Sequence, residues 1–146
     1  MHWHPITDRF KFKVCLNLYP KRRKVKLGPF LTREQLRIVK LSALTKRSLL
    51  LQISGTYNPL GILVPFTMRA KVMMQYLWKN ETKSIGWDDP LPEQVAAEWI
   101  LFFQDMFIVE EISFKRCIRP KGAIGDSMLI IFSDASDLAY GACAYL

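Results

Sequence analysis

The sequence of 146 residues predicts an α+β protein, in which a β-hairpin at each end flanks a helical middle. Three observations support this prediction. Apolar and polar residues alternate near the amino terminus, apolar residues recur at helical spacing in the middle, and two short apolar runs lie near the carboxyl terminus. We expect the first hairpin at residues 1–19, helices within 32–108 and the second hairpin at 127–146. Half of the residues are hydrophobic, which argues against wholesale disorder.

Residues 9–19 carry the alternation that predicts the first strand. Every second residue is apolar, which is typical of a strand with one face against a core. The apolar set is Phe10, Phe12, Val14, Leu16 and Leu18, and the other set begins with Arg9, Lys11 and Lys13. The preceding residues 5–8 have turn chemistry, so we expect residues 1–4 to form the partner strand.

The middle of the chain contains signals for helix starts and stops. Thr32 and Gln35 have the spacing of a capping box, which predicts a helix that starts there. Prolines and glycines separate the later helical patterns. The predicted helical segments are 32–44, 48–53, 65–79 and 92–108, with Asp88 and Asp89 at the start of the last one. Short strands are predicted at 113–120, 128–132 and 140–146.

Positive charge is concentrated in the first 50 residues. They contain 13 Lys and Arg against two acids, whereas the other 96 residues contain eight Lys and Arg against eleven acids. A concentrated positive region favours binding to a polyanion, most often nucleic acid. A solvated basic loop is the other interpretation of residues 21–26. The candidate nucleic-acid-binding residues are Arg9, Lys11, Lys13, Lys21, Arg22, Arg23, Lys24 and Lys26.

Two further patterns bear on where the protein acts. The most apolar segments, 61–66 and 99–109, are far shorter than the ~20 residues that span a bilayer, so no membrane partner is predicted. Cys15, Cys117 and Cys143 lie far apart, and an odd number argues against a disulfide framework. We therefore expect an intracellular protein, either cytoplasmic or nuclear.

Four sequence blocks, in this order, resemble the polyprotein of Bel/Pao-type LTR retrotransposons. They are HWHP to DRFKF at 2–12, LTKR to YNPLG at 44–61, WDDPLP at 87–92 and FSDAS to AYGA at 132–142. Each block is weak alone, but the ordered set is specific and spans nearly the whole chain. One departure is Asn58, where the family usually has Asp. The region is commonly labelled the Pao retrotransposon peptidase family.

The resemblance implies a place within the Pol polyprotein. Residues 1–30 would be the end of the reverse-transcriptase palm, with a hairpin that resembles the primer grip and a basic loop. Residues 31–126 would be the helical thumb and connection region, and 127–146 the truncated start of a ribonuclease H-like domain. The expected partners are an RNA–DNA hybrid or primer–template duplex and the rest of Pol.

Asp134 is the candidate catalytic and metal-binding residue. It follows an apolar strand, and in the resembled ribonuclease H domains the matching Asp is the first of four acidic ligands of Mg²⁺ or Mn²⁺. The other three would follow residue 146, so we expect the isolated chain to bind no metal cofactor and to be catalytically incomplete. The polymerase motif Tyr-x-Asp-Asp does not occur in the sequence.

Two alternatives remain open at the level of sequence. The first is an aspartic peptidase, whose Asp-Ser/Thr-Gly loop has only one similar site, Asp134 to Ser136, where the glycine is missing. The second is a basic helical module that binds nucleic acid and has no catalytic ancestry. The peptidase would need Asp134 for activity, whereas the binding module would keep its affinity without residues 134–145.

Overall fold

In the described part of the chain the fold has two separate antiparallel sheets and four α-helices, which confirms the α+β class and the hairpin at each end. The computed structural model describes residues 1–18, 29–56, 58–79, 84–117, 119 and 122–145. In chain order the elements are β1 His2–His4, β2 Arg9–Lys11, α1 Arg33–Leu36, α2 Lys46–Ser54, α3 Val64–Tyr76, α4 Glu93–Met106, β3 Ser113–Lys115, β4 Ile130–Ala135 and β5 Tyr140–Tyr145. The first sheet has the order β1-β2-β3, and β4 pairs with β5 in the second.

The strand predicted over 9–19 is shorter than expected, because β2 ends at Lys11. The alternation of burial nevertheless continues to Leu16, after which Asn17 and Leu18 are both buried. Side chains take the place of a neighbouring strand there. The Val14 N–H donates to Glu110 Oε1 at 2.7 Å, and the main chain of Asn17 exchanges two hydrogen bonds with the Gln52 amide at 2.9 and 2.6 Å. The apolar pattern thus predicted the burial of the apolar residues from Phe12 to Leu18, but not the burial of Asn17 and not the length of the strand.

The capping box of Thr32 and Gln35 is present, but the helix that it starts ends at Leu36 instead of residue 44. A 3-10 turn over Leu41–Ala43 follows, and then α2 begins. Lys40 has an extended backbone, with φ −66° and ψ 126°, so the helix that starts after Thr32 cannot run through to residue 44. A second capping box then starts α2. Thr45 has an extended backbone, its side chain accepts from the Ser48 N–H, and the Ser48 hydroxyl accepts from the Thr45 N–H. An extended residue at this position cannot continue a helix.

The hydrophobic core is centred on α4. Trp99, Phe102 and Phe103 are at most 2% exposed and pack against one another at ring-centroid distances of 5.7–5.9 Å. Leucines from the preceding segments complete the core, namely Leu16, Leu36, Leu44, Leu49 and Leu77. Among the described residues, no helix has the length and apolar character needed to cross a membrane.

Asp88 and Asp89 do not cap α4, which corrects the prediction for this segment. The cap position is Pro92, and the buried Leu91 donates its N–H to the Leu44 carbonyl at 3.0 Å. This contact fixes the chain between the carboxylates and the helix. Asp88 instead pairs with Arg47 of α2 at 2.7 Å, and Asp89 accepts from the Gly86 N–H at 2.9 Å. Both carboxylates therefore hold the connector, not the helix start.

Candidate nucleic-acid interface and the Asp134 hairpin

The register of the first sheet collects basic side chains on one face. His2, Lys11 and Ser113 lie opposite one another across the three strands, and His4, Arg9 and Lys115 form the second row. Directly opposed residues project to the same side of a sheet, so both rows share a face. We call this the cationic face, and its residues are His2, His4, Arg9, Lys11, Ser113 and Lys115. None of the six is an acid.

Lys115, His2 and His4 belong to this face but were not among the residues predicted from the sequence. Lys115 reaches it because β3 pairs with β2, about a hundred residues earlier in the chain. The sequence predicted a strand near residue 113 but carried no signal for its partner. The alternation of the first strand could have suggested the two histidines, since they occupy alternate positions of the paired strand.

The predicted basic residues in and just after β2 have different surroundings. Arg9 is half-buried, and its guanidinium donates to the Ser113 hydroxyl at 3.0 Å and to the Ser113 carbonyl at 2.7 Å. It therefore fastens β2 to β3 as well as placing a charge. Lys11 and Lys13 are exposed, as is Lys115. Lys13 lies two residues after Lys11 and continues the alternation. It therefore extends the charges of the cationic face beyond the end of β2, towards the helices.

The other predicted candidates are five cations of the basic loop. They are Lys21, Arg22, Arg23, Lys24 and Lys26, and they lie outside the described residues. Their role in binding stays a prediction.

A cluster of three side chains holds the turn between β1 and β2. The Arg116 guanidinium pairs with Asp8 at 2.7 Å, and the Trp3 indole N–H donates to the same carboxylate oxygen at 2.9 Å. These hydrogen bonds, led by that from Arg116, hold the pKa of Asp8 below its ordinary value. Asp8 has a φ of 47°, a left-handed conformation that Asp adopts more readily than most residues. The cluster ties the first hairpin to the end of β3.

Asp134 lies in β4, one residue before its end, opposite Gly141 of β5. Its Oδ1 accepts the N–H of Ala135 at 2.8 Å. Both strands are exposed along their whole length. A side chain added at Gly141 would meet nothing within 4 Å, so the space beside the Asp134 carboxylate is open. The position is thus accessible to a ligand.

The described residues do not form a two-metal site around Asp134. Within the described ranges, no three His, Cys, Asp or Glu side chains lie close enough together to hold a metal ion. A single carboxylate is a poor site for Mg²⁺, which keeps its waters unless several ligands replace them. Asp134 would therefore supply one ligand of such a site, and the others would have to come from elsewhere.

The segment after Asp134 is a tight turn closed by Ser136. Its N–H donates to the Ala139 carbonyl at 2.8 Å, and its hydroxyl accepts from the Ala139 N–H at 3.3 Å. Ser136 stands where an aspartic peptidase loop has its glycine. Asp134 itself is paired in a strand, so this geometry favours the ribonuclease H interpretation of the hairpin.

Comparison with known proteins identifies the family. A family model described as the Pao retrotransposon-like RNaseH-like domain matches residues 45–146, which include α2 to α4 and all three later strands. No curated protein and no solved structure matches the chain. The match confirms the resemblance to Bel/Pao retrotransposon Pol seen in the four sequence blocks. The chain belongs to the Pao retrotransposon-like RNaseH-like domain family.

Proposed function

We propose that this chain is the part of a Bel/Pao Pol polyprotein that connects reverse transcriptase to ribonuclease H, and that it binds nucleic acid. The observation that carries the proposal is the cationic face. Five of its six residues are Arg, Lys or His, from three strands that are separate in sequence. The family match supports the retrotransposon context.

The chemistry of the cationic face suits the backbone of nucleic acid and not its bases. Exposed lysines bind phosphates as point charges and release the counterions that surround a duplex. Apart from the two histidines, this face has no aromatic side chain, and it has no amide side chain of the kind that reads an adenine edge. We therefore propose sequence-independent binding to a primer–template duplex or an RNA–DNA hybrid.

Binding to a labelled hybrid duplex is expected to fall steeply with salt. If Lys11, Lys13 and Lys115 each contact a phosphate, the logarithm of the association constant should fall with the logarithm of salt concentration with a slope of about −2 to −3. The slope is obtained from association constants measured by fluorescence anisotropy at salt concentrations from about 50 to about 200 mM. A slope near zero would contradict a phosphate contact.

The β4–β5 hairpin supports the ribonuclease H part of the proposal. A two-stranded sheet alone is marginally stable in water, and Ile131, Phe132 and Tyr140 are each at least 59% exposed. We propose that other residues of Pol cover this hairpin and supply the remaining carboxylates. In the complete enzyme, Mg²⁺ or Mn²⁺ would then be held partly by Asp134.

The chain alone is expected to hydrolyse neither RNA–DNA hybrids nor peptides. Among the described residues no three His, Cys, Asp or Glu side chains lie close enough together to hold a metal ion, whereas a two-metal nuclease needs several carboxylates. The assays are a labelled hybrid with Mg²⁺ or Mn²⁺, and a peptide library at acid pH. Asp134→Asn is the control for both. Hybrid cleavage that disappears in this variant would contradict the expectation, and peptide cleavage that disappears would favour the peptidase alternative.

The cysteines support an intracellular setting. Cys15, Cys117 and Cys143 are all free and exposed. Exposed thiols persist where the compartment is reducing. We propose that the protein acts in the cytoplasm or the nucleus.

A further inference from the structure

A cavity of about 240 Å³ lies between the extended chain after β2 and the helices. Its walls are mainly apolar, with Phe12 and Val14 on one side and Leu63, Phe66 and Met106 on the other. Phe12 and Leu63 are buried, whereas Phe66 is half-buried and stacks on Phe102 at 4.8 Å. The cavity therefore offers aromatic and aliphatic surface to a small, flat, apolar group.

The cavity is continuous with the cationic face. His2 belongs to that face and also lines the cavity, and Lys13 extends the row of charges and lines it too. Both residues are exposed, so the charged side of the cavity is the one that solvent reaches. A ligand with an apolar body and an anionic group would place its body inside and its charge at this edge.

We propose that the cavity receives one unpaired nucleobase whose phosphate lies at Lys13, an inference that rests on the proposed function and extends it. A base has a flat aromatic body next to a phosphate, which matches the apolar walls and the charged edge. Base stacking on aromatic side chains is tolerant of sequence, because every base has a π-face. The source is either the end of a bound strand or a free nucleotide.

The polar groups of the cavity give little base selectivity. Gln52 lines it, but both ends of its side-chain amide are already bonded to the main chain of Asn17. Thr56 donates its hydroxyl hydrogen to the Gln52 carbonyl at 3.4 Å. One amide hydrogen of Gln52 and the lone pairs of the Thr56 hydroxyl remain, which are few polar groups with which to distinguish one base from another. The cavity therefore recognises the presence of a base more than its identity.

The first experiment compares duplexes with the full 146-residue chain. A hybrid duplex with one unpaired 3′ nucleotide should bind about tenfold more tightly than the blunt duplex, because stacking of the extra base adds to the phosphate contacts. An abasic overhang should lose this gain. Equal affinity for the blunt and overhang duplexes would overturn the strand-end form of the inference while leaving the proposed function intact.

The second experiment uses adenosine 5′-monophosphate and methyl-labelled methionine. Of the six methionines, Met1 and Met106 line the cavity, whereas Met68 and Met128 do not. A bound base should shift the NMR signals of the first pair through its ring current and leave the second pair unchanged. If adenosine 5′-monophosphate shifts the Met1 and Met106 signals but the chain binds no duplex, the cavity is a site for free nucleotides. That result would contradict the proposed function and not this inference. No shift of Met1 or Met106, together with no gain from the overhang, overturns the inference.

Thr56→Leu is the matched variant for both experiments. The added bulk should partly fill the cavity, so it should remove the gain from the overhang and the methionine shifts while leaving affinity for the blunt duplex unchanged. Ser54→Leu, at the exposed end of α2 and outside this cavity, is the control and should keep both effects. A gain that survives in Thr56→Leu would mean that the base binds elsewhere.

Discussion

Replacing Lys11, Lys13 and Lys115 together by Glu is expected to weaken binding of a hybrid duplex by about 100-fold or more at low salt. The three side chains are exposed, Lys11 and Lys115 on the cationic face and Lys13 beyond the end of β2, and the reversal turns attraction to phosphates into repulsion. Arg9 is left in place because its hydrogen bonds to Ser113 hold the sheet together. Anisotropy at a fixed low salt concentration measures the loss.

A control variant with the same change in net charge distinguishes the effect of the cationic face on affinity from the effect of the net charge of the chain. Reversal of Arg33, Lys40 and Lys71 alters three exposed cations of the helical region by the same amount. It should weaken binding by less than about tenfold, since only long-range attraction changes. Comparable losses in the two variants would show that the net charge of the chain, and not the cationic face, determines affinity.

Trp99→Ala is expected to lower the free energy of unfolding by about 3–5 kcal/mol. Trp99 is 1% exposed and contacts both Phe102 and Phe103, so its removal leaves a cavity at the centre of the core. Single domains have a free energy of unfolding of only about 5–15 kcal/mol, so this substitution would remove a large part of the total stability. The midpoint of urea denaturation, followed by circular dichroism, measures the loss.

Leu101→Ala provides the comparison on the same helix. Leu101 is 58% exposed, so its truncation removes little buried surface and should change stability by less than about 1 kcal/mol. The difference between the two variants tests which side of α4 faces the core. Similar midpoints for both would contradict the packing described here.

The features that could be predicted from the sequence are those set by local patterns. The buried stripe of α4 follows from apolar residues at helical spacing, and Trp99 and Phe103 lie on it as expected. The Thr32 capping box needs only two residues at the right distance. The apolar run before Asp134 predicted a strand here, although β4, at Ile130–Ala135, lies later than the expected 128–132 and includes Asp134 instead of ending before it. Each of these depends on neighbours within a few residues.

The features that could not be predicted depend on residues far apart in sequence. Alternation over 9–19 indicates which side chains are buried, but not whether a strand, Glu110 or Gln52 completes the hydrogen bonds of the backbone. The pairing of β3 with β2 carries no local signal, so Lys115 was missed. Asp88 lies near the start of α4 in sequence, yet Arg47 determines its position.

The pairing of β2 with β3 also determines when this sheet can form during protein synthesis. Arg9 and its partner Ser113 are 104 positions apart. At 5–20 residues per second, a ribosome needs about 5–20 s to travel between them. During that interval β1 and β2, with three residues each, have no third strand to stabilise them. A nascent chain therefore lacks the complete cationic face until Lys115 has left the ribosome, so the binding proposed for the complete face would require most of this sequence to have been translated.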